Sequence, residues 1–302
     1  MIIVAKQKIL LFLVEWSDQM NIGLVLSGGM AKGALQLGAL CALSEFIPLE
    51  EIKCVSCASV GAINGYAYMT NKLERAKQMW SELCNNGKKM GLTQFLRSDI
   101  LQQDIINLYD PNDSISSEFY CSLLELSTKN IVYKDLSKVD KDKIPLYLKA
   151  AVALPVCNRS VQVDGSGYFD GAVVDNVPVF PLLDREIDYI ICIYFDDICY
   201  KFESTDFDNK IIKITFPNET SLKQSFVFQQ DSIDHMLEVG FERTKNILKK
   251  YFSDGYDNLE QIYRNIDFIN QNNKDSCLRL TGDVIITNFN KLTQKLTRRK
   301  IL

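Results

Sequence analysis

Cys54-Val-Ser-Cys-Ala-Ser-Val-Gly-Ala-Ile-Asn64 joins an apolar strand pattern to a helical pattern with almost no loop between them. Short turns of this kind connect strands to helices in α/β proteins, and they can hold a serine hydroxyl exposed above the sheet. Ser59 stands at the turn, and residues 57–61 match the pentapeptide G-x-S-x-G except at its first position. The pattern alone leaves two roles open for Ser59, a nucleophile and an ordinary N-cap of the helix that follows.

Strand and helix patterns alternate on both sides of this stretch. Upstream, residues 22–26 predict a buried strand, a glycine loop follows at 27–33, and a helix spans about 34–46. The other patterns predict strands at 53–56, 189–195 and 210–216, a hairpin at 160–169, helices at 60–69, 73–84 and 145–154, two helical stretches within 93–128, and a long helical region at 226–252. This alternation predicts an α/β fold with a largely parallel sheet and helices on both faces.

The loop Ser27-Gly28-Gly29-Met30-Ala31-Lys32-Gly33 follows a strand and opens a helix, where backbone N–H groups are free to bind an anion. A P-loop requires Ser or Thr after Gly-Lys, and a dinucleotide fingerprint requires glycines at i, i+2 and i+5; no frame here supplies either. Two interpretations remain open at this point. The loop is either an oxyanion hole for a carbonyl substrate or a tight turn without a ligand.

A serine nucleophile needs a proton acceptor, and the sequence offers four candidates. His235 is the single histidine, but it lies in a helical pattern far along the chain. Asp164 is already explained by the Asp-Gly turn of a hairpin, and Asp175 is less well placed. Asp170 follows a predicted strand and precedes a loop, so it is the favoured base, although a simple turn would also explain it.

The order of these features resembles the patatin-like phospholipase family. Leu26–Ala34 is similar to the family's oxyanion signature and Ser59–Asn64 to its nucleophile region, while Ala150–Pro155 and Asp170–Pro178 resemble its later blocks. The resemblance extends from about residue 20 to about residue 250. It implies a three-layer α/β/α sandwich with a mainly parallel central sheet.

The resemblance also implies a mechanism and its residues. Ser59 and Asp170 would form a catalytic dyad that hydrolyses ester-linked fatty acids of phospholipids or related lipids without a metal or other cofactor. The N–H groups of Gly28, Gly29 and Met30 would form the oxyanion hole. The expected partner is therefore a lipid substrate, in particular a phospholipid at a membrane surface.

Two positions depart from the family pattern. The family usually has glycine where this chain has Cys57, and a further glycine where it has Met30. A Cβ at position 57 crowds a tight turn, which leaves an alternative function open: a catalytically inactive or ligand-regulated lipid-binding protein on the same fold. Lys32 matches a basic position of the signature, and we expect it to brace the loop.

Composition excludes several other classes of protein. The net charge of −4 gives no electrostatic case for nucleic acid as the main partner. Nine scattered cysteines do not resemble a secreted disulfide framework, and the pair Cys54 and Cys57 has neither a second pair nor enough histidines for zinc. On a strand these two would point to opposite faces. These features predict a reducing, cytoplasmic location and indicate no oligomeric state.

The two ends of the chain suggest a membrane contact that the sequence does not decide. Residues 1–19 form a predicted N-terminal extension, whose apolar run at 9–14 is short for a signal peptide. Residues 20–302 form a predicted single domain with a basic tail from about 288. The tail interleaves basic and apolar residues, so it fits either peripheral docking on anionic lipid or a solvated tail.

Overall fold

The computed structural model of the chain describes residues 19–87, 100–155, 157–196, 199–217, 228–273 and 276–280. Within these ranges the strands are β1 (Ile22–Leu26), β2 (Ile52–Cys57), β3 (Glu118–Glu125), β4 (Asn130–Asp135), β5 (Val161–Val163), β6 (Ser166–Asp170), β7 (Tyr189–Tyr194), β8 (Tyr200–Phe202), β9 (Ile211–Thr215) and β10 (Cys277–Arg279). The helices are α1 (Gly33–Leu43), α2 (Val60–Met69), α3 (Leu73–Gly87), α4 (Ile100–Leu108), α5 (Ile144–Ala151), α6 (Thr205–Asp208), α7 (Gln230–Tyr251) and α8 (Leu259–Asn272).

The central sheet is mainly parallel, as predicted. β1 lies between β2 and β7, β3 follows on the β2 side and β9 on the β7 side, and all of these pairings are parallel. β4 and β6 pair with β3 in the antiparallel sense, and β5 completes a hairpin with β6. The chain runs outward from β1 in two directions, so the carboxyl ends of β1 and β7 form a topological switch point, the place at which open α/β sheets bind ligands.

Each face of the sheet buries its own core, because successive strand residues point to opposite faces. On one face the strands pack against helices that include α1, α2 and α7. On the other face a smaller core lies beneath the segment 177–187, β8 and the turn around α6, with Val177, Leu182 and Phe202 buried. Helices flank the sheet, which confirms the predicted α/β class. Cys54 and Cys57 lie in different cores, so they point to opposite faces as predicted.

Helices α1 and α7 cross with their backbones almost touching. Every residue of α1 except Cys41 is buried, which explains why this helix is apolar on all sides apart from Gln36. At the crossing, a Cβ added to Gly38 would lie 2.1 Å from the carbonyl oxygen of Leu237, and one added to Gly240 would lie 2.0 Å from that of Leu35. The two glycines therefore set the distance between the helices.

One predicted element was wrong. The second of the two helical stretches predicted within 93–128 contains residues 118–125, but these form β3, whose residues Phe119 to Leu123 are all buried. A short apolar run does not distinguish a buried strand from a helix, and here neighbouring strands on both edges decide the outcome. The earlier helical stretch is present as α4, and the hairpin turn has positive φ at Asp164 and Gly165, as its Asp-Gly sequence requires.

Several predictions fall outside the described residues. These are the N-terminal extension up to residue 18, its apolar run, and the basic tail from about 288. Of the helices that the structure describes, none is both long and apolar enough to cross a membrane. All nine cysteines lie in the described ranges, and none forms a disulfide.

Candidate active site

The strand register brings the ends of β2 and β6 together. β4 covers one edge of β3, so β2 and β6 share the opposite edge, with β2 paired to residues 118–121 and β6 to residues 123–125. Because β2 is parallel to β3 and β6 is antiparallel, their carboxyl ends meet near Ser122. Ser59 lies two residues beyond Cys57 at the end of β2, and Asp170 is the last residue of β6. The fold therefore places both predicted catalytic residues at one point of the sheet.

Ser59 does not act as a helix cap. Its backbone angles are φ 53° and ψ −132°, and its side chain makes no capping hydrogen bond to α2. Positive φ is uncommon and costly for a serine, and such strain is typical of functional turns. The next turn is well closed, since Gly61 N–H donates to the Ala58 carbonyl at 2.9 Å. These observations exclude the N-cap interpretation and match the geometry of a nucleophile elbow.

Cys57 does not obstruct the elbow. Its side chain is buried, and its Sγ would lie 2.8 Å from a Cβ added at Gly65, one turn into α2. The thiol therefore occupies space that the absent side chain of Gly65 leaves, in the core and not in the turn. Burial raises the pKa of Cys57 well above its usual value, so the thiol stays neutral there. Cys57, the departure from the family pattern that left an inactive protein open, therefore fits against Gly65 and leaves the turn at Ser59 undisturbed.

Asp170 is a buried carboxyl with an unused oxygen. It is 1% exposed, and Oδ1 accepts a hydrogen bond from Ala172 N–H at 2.9 Å. Burial raises its pKa to about 7, while the neighbouring Ser59 hydroxyl and the Ala172 N–H act in the opposite direction. Oδ2 has no hydrogen-bond partner among the described residues. The Ser59 hydroxyl is the neighbouring side chain that favours the ionised carboxyl, so it lies beside Asp170.

The other candidate bases for Ser59 either already have ion-pair or hydrogen-bond partners or lie on the surface of a different element. Asp164 lies in the exposed hairpin turn and pairs with Lys143 at 3.1 Å. Asp175 is buried but already accepts hydrogen bonds from Tyr133, Val177 N–H and Arg279. His235 is exposed on α7. In the described ranges, no group of three or more His, Cys, Asp or Glu side chains is arranged to hold a metal ion.

The glycine loop lies directly against Ser59. A Cβ added at Gly28 would lie 2.7 Å from the Ser59 Cβ and 2.6 Å from Asn176 Oδ1, so only glycine fits there. Gly28 N–H already donates to Asn176 Oδ1 at 3.0 Å, and it is therefore not free to receive an oxyanion in this structure. The N–H groups of Gly29 and Met30 donate to no acceptor that the described residues provide. Two of the three predicted donors therefore remain available.

Met30 and Lys32 shape the rest of the loop. Met30 has φ 52°, a value that glycine adopts freely, which gives a physical reason for a glycine at this position in the family. Lys32 is only 6% exposed, and its Nζ lies 5.6 Å from the centre of the Phe195 ring. This cation–π contact is consistent with the predicted bracing role.

A buried polar network that sequence reasoning missed supports the loop from below. Gln36 Nε2 donates to the Ser27 carbonyl, and Asn64 Nδ2 donates to the Gly33 carbonyl and to Gln36 Oε1. Trp80 Nε1 completes the network by donating to Asn64 Oδ1 at 3.2 Å. The available signal was a lone amide in each of two otherwise apolar helices, because a buried polar group needs hydrogen-bond partners.

The sequence of the chain is similar to a family model and to curated proteins. A family model described as patatin-like phospholipase matches residues 24–183. Two curated relatives, the lysophospholipases NTE1 of two strains of Cryptococcus neoformans var. neoformans serotype D, are each 30% identical over 187 residues. The match covers 57% of this chain but 11% of each relative, so the chain spans about a tenth of their length.

Two solved structures are similar over parts of the chain. VipD from Legionella pneumophila has a TM-score of 0.43 and 14% identity, with 92% of this chain and 77% of that chain covered. ExoU in its heterodimeric complex with SpcU, from the type III secretion system of Pseudomonas aeruginosa, has a TM-score of 0.44 and 15% identity, with 77% and 52% covered. At these scores neither similarity bears on function.

Proposed function

Because the chain belongs to the patatin-like phospholipase family, we propose that it is a serine acyl hydrolase with a Ser59–Asp170 dyad. Its substrates are phospholipids or related lipids, from which it releases ester-linked fatty acids. The relatives' name, lysophospholipase, favours single-chain phospholipids among them. The observation that carries the proposal is the strained Ser59 elbow facing a buried Asp170 oxygen that has no partner among the described residues.

In this mechanism Ser59 Oγ attacks the acyl carbonyl while Asp170 Oδ2 accepts the hydroxyl proton. Burial raises the pKa of Asp170 to about 7, close to neutral pH, which suits a group that must both accept and release a proton. The N–H groups of Gly29 and Met30 bind the oxyanion that forms on the carbonyl. One such donor typically contributes about 3–4 kcal/mol to transition-state stabilisation.

The second half of the reaction uses the same groups. Collapse of the tetrahedral intermediate breaks the ester bond, and the leaving alcohol takes the proton from Asp170. Water then attacks the acyl-serine while Asp170 accepts its proton, and Asp170 returns that proton to Ser59 Oγ as the bond between Oγ and the acyl carbon breaks and the fatty acid leaves. An acyl acceptor other than water would use the same residues, so only product analysis separates hydrolysis from acyl transfer.

Labelling with a fluorophosphonate tests the nucleophile. We expect the wild-type protein to be labelled at Ser59 and the Ser59→Ala variant to be unlabelled and inactive on a lysophospholipid. Ser160→Ala, in the polar segment before β5, serves as a matched control that keeps both properties. Folded wild-type protein that is neither labelled nor active would support the lipid-binding alternative, and mass spectrometry of products from mixed phospholipids would identify the substrate class.

A further inference from the structure

Arg279 connects the last described strand to the segment that follows Asp170. It ends β10, which pairs in parallel with β8, and its carbonyl accepts a hydrogen bond from Glu203 N–H. Its side chain is 10% exposed and lies 5.0 Å from the centre of the Tyr200 ring. Arg279 lies well outside residues 24–183, the part of the chain that matches the family model.

The guanidinium holds the chain on both sides of Asn176. Nη2 donates to Asp175 Oδ1 at 3.1 Å, and Nη1 donates to the Val177 carbonyl at 3.3 Å. Asp175 is itself 5% exposed in its side chain and accepts a further hydrogen bond from the Tyr133 hydroxyl at 2.8 Å. The fork geometry of an arginine allows this two-point attachment, which a lysine cannot reproduce.

Asn176, between the two anchored residues, holds the glycine loop. Its Oδ1 accepts from Gly28 N–H at 3.0 Å, and its Nδ2 donates to the Gly28 carbonyl at 3.2 Å. Both polar groups of the Asn176 amide are therefore used on the backbone of a single residue. That residue touches Ser59 and immediately precedes Gly29, the first of the free N–H donors.

From these contacts we propose that Arg279 is a positioning residue for the oxyanion loop, acting through Asn176 on Gly28. This inference rests on the proposed function, since it assigns Arg279 a part in the same reaction. Loss of the guanidinium leaves Asp175 buried without its cation and frees Val177. The Asn176 amide then no longer fixes the Gly28 peptide, and the Gly29 and Met30 donors lose their alignment. A displacement of about 1 Å in such a group can reduce a rate by about 100-fold.

The test compares Arg279→Ala with wild type in hydrolysis of a 4-nitrophenyl acyl ester, with sites counted by fluorophosphonate titration. We expect kcat per titrated site to fall about 10- to 100-fold with KM within about threefold, because the loop serves the transition state. Added guanidinium ion should restore part of kcat. Arg279→Lys should have a kcat between those of Arg279→Ala and wild type. If Arg279→Ala does not fold, Arg279→Lys takes its place in the comparison. Arg264→Ala, which removes an exposed ion pair with Glu260, is the control and should match wild type.

Amide exchange of Gly28 reads the same link without any catalysis. We expect exchange of this N–H to be at least about tenfold faster in Arg279→Ala than in wild type, since its acceptor Asn176 is no longer held. The inference is overturned if wild type is active and Arg279→Ala keeps both kcat per site and Gly28 exchange within about twofold. A wild type without esterase activity or labelling would refute the proposed function instead, and the exchange comparison would still decide whether Arg279 orders Gly28.

Discussion

Replacing Asp170 with asparagine should abolish activity and also change how stability depends on pH. The carboxyl is 1% exposed, and burial raises its pKa from 3.8 to about 7. An asparagine keeps the shape and an oxygen that can accept the Ala172 N–H, but it neither titrates nor takes a proton from Ser59. We expect hydrolysis to fall at least about 1,000-fold, because the dyad loses its base.

The sign of the stability effect follows from the raised pKa. Above pH 3.8 the unfolded chain releases the Asp170 proton while the folded protein keeps it, up to a pH of about 7. The unfolded state binds fewer protons in this window, so the free energy of unfolding of wild type falls as pH rises, by about 1.4 kcal/mol per unit. Between pH 5 and pH 8 this amounts to about 3 kcal/mol, all of it absent from the asparagine variant.

Urea unfolding followed by tryptophan fluorescence, at matched ionic strength, measures this difference. The stability of Asp170→Asn relative to wild type should be greater at pH 8 than at pH 5 by about 3 kcal/mol. Asp164→Asn, in the exposed hairpin turn, is the control that measures the effect of an Asp-to-Asn change away from the site. A relative stability that is the same at both pH values would refute the reasoning, as would an asparagine variant that retains activity.

Two further substitutions test other parts of the structure by urea unfolding. Gly65→Ala should lower the free energy of unfolding by about 1–3 kcal/mol, because its Cβ would lie 2.8 Å from Cys57 Sγ. Adding Cys57→Ala to this variant should restore at least about 1 kcal/mol of the loss. Additive effects of the two substitutions would show that the two side chains do not share space. Lys213→Met should lower the free energy of unfolding by about 3–5 kcal/mol, since it leaves the Asp208 carboxylate buried without its cation. Adding Asp208→Asn to this variant should restore more than half of that loss. Equal losses in the single and double variants would contradict that account.

Much of the fold could be predicted from local patterns. The strand at Ile22–Leu26, the helix at Val60–Met69 and the Asp-Gly hairpin follow from apolar periodicity and turn chemistry, which act over a few residues. Ser59 could also be identified from the sequence, because the turn between the strand and the helix is so short that few residues can present a hydroxyl there. The structure adds that its side chain caps nothing, which the pattern alone could not decide.

The meeting of Ser59 with Asp170 could not be derived from such patterns. It depends on β2 and β6 sharing one edge of β3, and β3 itself has the apolar content of a helix in the sequence. The family resemblance implied Gly28 as an oxyanion donor, and no local pattern shows that Asn176, far along the chain, already binds its N–H. Contacts between residues so far apart in the sequence depend on how the strands pair in the sheet, so neither motif spacing nor composition reveals them.

The crossing of α1 and α7 has a consequence for genetics. α1 begins at Gly33, immediately after the glycine loop, and its distance from α7 is set by the missing side chains of Gly38 and Gly240. A single methyl group at either position would push α1 away from α7 and carry the start of the helix with it. A screen for loss of activity should therefore recover substitutions at Gly240, a residue that lies outside the family-matched segment and in a helix remote in sequence from Ser59. Tolerance to mutation in this protein would follow backbone proximity more closely than distance from the nucleophile.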